Sequence, residues 1–213
     1  MKIKIILLML TTILSPSIWA IDILVNEGKA GAAKISIVPF EQSAPLTLAI
    51  DVDELIRLNL NQSGEFLSLE PDNMMSQPRN ESDIYFRNWM LLKQNYLILG
   101  DVVPSTVQPG GVKISLVAYN VDTTKKMFEE SIDTTTEEYS LRKAGNELSD
   151  RIYEHITGVK GVFQTKIAYV TREIVGDKTL QKIHVMDANG ENENVVYQDT
   201  APIISISWSH DLK

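Results

Sequence analysis

A chain of 213 residues, 44% apolar and 23% charged, is long enough for one sizeable core and a second, smaller unit, and its composition excludes a disordered or fibrous polypeptide. The formal charge of −8 at pH 7 argues against a protein that grips nucleic acid through its phosphates. With no cysteine, disulfides and thiolate metal sites are excluded outright.

Lys2 and Lys4 lead into the apolar run IILLMLTTIL, and Ser15, Pro16 and Ala20 follow it. This is the order of a secretory signal peptide over residues 1–20. The run is shorter than the roughly 20 apolar residues of a spanning helix, so export and cleavage are expected instead of a membrane anchor. Removal of residues 1–20 takes away two lysines and no acids, and leaves a formal charge of −10.

Residues 21–33 read as an extended arm, in which Ile21, Ile23 and Val25 alternate before a small-residue stretch from Gly28 to Ala33. A β-rich run from Ile35 to Phe40 is closed by Pro39. Val52, Leu55, Ile56 and Leu60 recur at helical spacing, with Asp51 placed as N-cap and Gly64 as the stop. FLSLEP reads as a short strand and PDNMMSQPRNES as a polar loop. DIYFRNWMLLKQ reads as a shorter helix with Tyr85, Trp89 and Leu92 on its core face.

YLILGDVVPS and VKISLVAYNVDT read as strands joined through the Pro109-Gly110-Gly111 turn, and KKMFEESIDTT as a further strand. Acids from Thr134 to Tyr139 suit the first turn of a third helix. Along that helix Leu141, Ala144, Leu148, Ile152 and Ile156 form a stripe that Gly158 ends. The expected fold over residues 34–158 is therefore an α/β domain with a mixed sheet.

From residue 159 onward only strands and turns are expected: FQTKIAYVTREI, KIHVMDA, the Asn189-Gly190 turn, NVVYQD and IISISW. Four strands in that length match one blade of a β-propeller, about 40 to 45 residues. A single such sheet has unpaired edges and a bare face.

Catalytic and metal signals are thin. His155, His184 and His210 fall on a helix end, a strand and a turn without ligand spacing, and no G-x-S-x-G elbow occurs. Gly28 and Gly31 make no phosphate loop. Asp187, Asn189 and Glu191 alternate like the start of a calcium loop, but Asn192 holds the place that needs glycine and the distal Glu is missing, so a hairpin turn is expected. No cofactor or metal is expected, and the sequons at Asn61 and Asn80 read as coincidence.

Five stretches together resemble the TolB family, periplasmic components of the Tol-Pal system of Gram-negative bacteria: ISIVPF, NQSGEF, NWMLLKQNYLILGDV, LRKAGNELSDRIYEHITGVKGVFQTKIAYV, and VMDANGENENVV followed by SISWSHDLK. The resemblance implies a non-enzymatic adaptor. Its N-terminal arm, here Ile21, Asp22, Ile23, Leu24, Val25, Asn26, Glu27, Gly28, Lys29, Ala30, Gly31 and Ala32, would bind the C-terminal domain of the inner-membrane protein TolA. Its propeller would bind the outer-membrane lipoprotein Pal and support outer-membrane invagination at division. Alternating apolar residues in the arm suit addition of a strand to an exposed sheet edge. The segment Gly158, Val159, Lys160, Gly161, Val162 and Phe163 would couple the two domains.

His210 and Leu212 depart from the Pro and Gly of the family's repeat turn. Residues 159–213 amount to about one blade of the six in the family, so WSHDLK reads as a turn into a second blade, and Pal binding is expected to be lost. The alternative is a periplasmic hydrolase whose propeller gates a catalytic domain beyond this chain, which would require a nucleophile motif downstream.

Overall fold

The structure, a computed structural model, describes residues 31–43 and 46–209. The expected signal peptide, the arm from Ile21 to Ala30, and His210 and Leu212 lie outside the described residues.

Strand β1 (Ala33–Ile37) lies inside a sheet, between β3 (Phe66–Ser68) and β4 (Tyr96–Pro104), parallel to both. The short β2 (Glu41–Gln42) also runs parallel to β4. Beyond it, β4, β5 (Val112–Asn120) and β6 (Lys125–Thr134) form an antiparallel meander. The sheet order β3-β1-β4-β5-β6 is the mixed sheet that the sequence leads one to expect.

Helix α1 (Val52–Gln62) and helix α3 (Glu138–Thr157) pack on one face. Their stripes, Val52-Ile56-Leu60 and Leu141-Ala144-Leu148-Ile152, meet Ile35, Ile37, Ile98, Ile114, Leu116 and Ala118 from the sheet. The alternate residues Leu97, Leu99 and Tyr119 point to the other face, where Trp89 of helix α2 (Phe86–Leu91) covers them. One sheet thus feeds two cores because successive strand side chains alternate in direction.

Two helix ends match their sequence signals. Gly64 and Gly158, with φ of +77° and +74°, turn the chain out of α1 and α3 in the left-handed conformation that a side chain disfavours. Asp51 occupies the N-cap of α1, although its side chain makes no capping hydrogen bond.

Helix α2 differs from expectation in one face residue. Tyr85 is 72% exposed and precedes the helix, whereas Phe86 packs beside Trp89 and meets Tyr119 edge-on at 6.1 Å. The six-residue helix starts one position later than the stripe supposes, and that turns Tyr85 outward.

The C-terminal region forms a separate antiparallel sheet of β7 (Lys166–Val175), β8 (Lys178–Asp187) and β9 (Asn194–Asp199). The expected fourth strand is absent from IISISW. Residues 205–208 instead lie near Ala168, Ile183, Val185 and Val196 on one face of the sheet. The segment meets a bare apolar face there, and it continues no ladder along β9. No helix among the described residues is long and apolar enough to cross a membrane.

Candidate functional site

The C-terminal unit meets the α/β unit at the polar flanks of α1 and α3. On α3, Asn146, Ser149 and Asp150 sit three and four residues apart beside Leu148 and Ile152, so they share one flank of the helix. All three are buried, as is Asn59 on α1.

Asp150 holds the linker. One carboxylate oxygen accepts the backbone N–H of Phe163 at 2.7 Å and the other accepts the Gln164 amide at 3.1 Å. Gly161 approaches so closely that a Cβ there would stand 2.6 Å from the Asp150 Cα, and no side chain fits. The Phe163 ring completes an edge-to-face ladder, 5.8 Å from Tyr153, which lies 5.9 Å from Phe66 in the core.

The segment Gly158 to Phe163 is therefore divided. Gly161 and Phe163 are buried, whereas Val159 and Val162 remain 60% and 62% exposed. Gly158 donates to Glu154 O at 2.8 Å as it closes α3, and Lys160 is exposed. Val159 to Phe163, with Gln62, Ser63, Tyr153, Ala188 and Asn189, line an open cleft between the helix ends and the turn after β8.

The turn between β8 and β9 forms the cleft's far wall. Asn189 Nδ2 donates to Asn59 Oδ1 at 3.2 Å, and Gln62 donates to the Asn189 carbonyl at 3.2 Å. Glu191 pairs with Arg142 of α3, which also holds Glu138. Burial alone would make the Arg142 guanidinium easier to deprotonate, but its bonds to Glu138 and Glu191 outweigh that and fix its charge more firmly.

The expected calcium-like positions are occupied by protein partners. Asp187 pairs with Lys166 and accepts the Asn192 amide at 2.6 Å, and Asn189 is committed to Asn59. His155 stacks on Phe128 at 4.2 Å and bonds Glu130 at 2.9 Å, whereas His184 stacks on Tyr169 at 4.9 Å and meets Thr171 at 2.8 Å. The structure keeps these two histidines apart, His155 on α3 against the first sheet and His184 on β8 of the second. Of the arm, only Gly31 and Ala32 lie within the described residues, and they lead directly into β1.

Sequence reasoning missed Asn59, Asn146, Ser149, Asp150 and Asn189 as a set. The available signal was the i, i+3, i+4 polar flank of α3, which by itself reads as a solvated face. Packing of α1 against α3, with the linker and the turn at Asn189 laid over the edge, makes it an interior.

The family model described as the TolB amino-terminal domain matches residues 21–127, half of the chain. The Tol-Pal system protein TolB of Hahella chejuensis is 35% identical over 192 residues, covering 89% of this chain and 43% of that protein. The same protein of Alcanivorax borkumensis is 32% identical over 201 residues, covering 92% and 45%. The crystal structure of TolB from Acinetobacter baumannii superimposes with a TM-score of 0.71 at 26% identity, over 85% of this chain and 42% of that one. The chain thus spans under half the length of these relatives. Domain match, relatives and superposition agree that this chain belongs to the TolB family of Tol-Pal system proteins.

Proposed function

We propose that the chain is a non-enzymatic adaptor of the bacterial envelope, acting in the periplasm after removal of residues 1–20. Its arm, Ile21 to Ala32, adds a strand to the C-terminal domain of TolA, and residues 34–158 form the rigid unit that carries the arm. The observation that carries this reading is the match to the TolB amino-terminal domain, which starts at Ile21 and so takes in the whole arm. The arm joins β1, an interior strand held on both sides, so a pull on it would reach the centre of the sheet.

Residues 159–213 are read as the start of a propeller. Both faces of the β7–β9 sheet carry apolar residues that remain open: Val170 and Ile174 on one, and Ile167 and Val195 on the other, each at least 38% exposed. A propeller covers both faces of every blade with its neighbours. The Pal-binding surface and the division role belong to the assembled propeller, and binding at one end is coupled to the other through Gly158 to Phe163.

Titration calorimetry of the mature chain against the C-terminal domain of TolA tests the arm. Binding by the mature chain and none by a variant lacking residues 21–32 is the expected result. Equal affinity of the two would overturn the assignment.

A further inference from the structure

The linker gives the second sheet one anchor, at Asp150 and Phe163. A body held at one place can still rotate, so a second contact has to fix its orientation. Because Lys166 pairs with Asp187, the far end of β8 returns to the same end of the sheet as the linker. The turn that follows reaches α1.

Hydrogen-bond direction in that contact is determined. Ser149 Oγ donates to Gly145 O at 2.8 Å, so it can only accept from Asn59 Nδ2 at 3.0 Å. The other Nδ2 hydrogen goes to Asn146 Oδ1 at 2.8 Å. Asn59 is 1% exposed, with both its amide hydrogens used inside the α/β unit, so it presents Oδ1 as a fixed acceptor. Asn189 answers with Nδ2, while its own Oδ1 accepts the Glu191 N–H at 3.1 Å and closes the turn. Its carbonyl receives Gln62. An aspartate at 189 would keep the turn but place oxygen against oxygen at Asn59.

We propose that Asn189 is an orientation latch, read by a socket of Asn59, Asn146, Ser149 and Gln62, and that it sets the angle of the second sheet to the α/β unit. The latch is independent of which partners the chain binds.

The chain has no cysteine, so two introduced cysteines give unique spin-label sites. A pair at the exposed positions Glu154 and Arg172 spans the two units, and a pair at Asp122 and Glu154 lies within the first. In the full chain, Asn189→Asp is expected to broaden or shift the 154/172 distance distribution and leave 122/154 unchanged. Gln62→Ala, at the edge of the socket, is expected to do the same more weakly. A 154/172 distribution that superimposes on the parent's in both variants would overturn the latch. So would equal broadening of the two pairs, since that reports loss of the α/β unit itself.

Discussion

Replacing Asp150 by alanine isolates the linker anchor. The variant leaves the Phe163 N–H buried without an acceptor, where Asp150 now holds it at 2.7 Å. An orphaned buried donor costs about 1 to 3 kcal/mol, and a bond to a charged acceptor contributes about 1.5 to 3. Gln164 is exposed and its amide returns to water, so its 3.1 Å bond adds little. The expected loss for Asp150→Ala is therefore about 2 to 3 kcal/mol.

Asp150→Asn keeps one carbonyl oxygen for Phe163 and turns its amide toward Gln164, whose side chain can rotate to accept. It loses only the charge assistance, about 0.5 to 1 kcal/mol. Urea unfolding followed by the fluorescence of Trp89, buried in the second core of the α/β unit, measures both variants. A difference between them under about 0.5 kcal/mol would refute the argument that the Phe163 N–H is what Asp150 serves.

Two further outcomes follow from local geometry and charge. Thr124 closes the turn from β5 to β6 at φ 55°, a left-handed conformation that a β-branched residue resists by about 1 to 2 kcal/mol. Thr124→Asn is expected to raise stability by about 0.5 to 1 kcal/mol, and a thermal melt with no rise would contradict the strain. Partial burial pushes the Glu130 carboxyl up, but the hydrogen bonds and charges of His155 and Arg151 together outweigh it and hold the group below its ordinary value of 4.5. A lowered carboxylate contributes stability that is present above that ordinary value and is lost as pH falls through the lowered one. Glu130→Gln should therefore flatten the acid limb of a stability-versus-pH curve, and identical limbs for the two proteins would contradict the pairing.

The helices and most strands were legible because their signals are local. The stripe from Leu141 to Ile152 and the glycines that end α1 and α3 need no knowledge of neighbours. Tyr85 was misplaced because a six-residue helix has too few turns to determine its own phase, and the contact of Phe86 with Tyr119 settles it. The fourth strand of the second sheet failed for a related reason. IISISW has the composition of a strand, but a strand requires a partner, and these residues meet a face of the sheet instead.

By itself the sequence determined the alternation of strand and helix, the mixed α/β class, the lack of disulfides and the family, since periodicity, cysteine count and motif order are properties of the chain. Tertiary structure alone decided which polar residues are interior. Asn59, Asn146 and Asp150 have the composition of a wet helix face until α1 packs against α3 and the linker crosses their flank, and each then needs a specific partner because an unpaired polar group costs far more there than in water. Burial, which turns an ordinary asparagine into an orienting contact, is a property of the packed molecule.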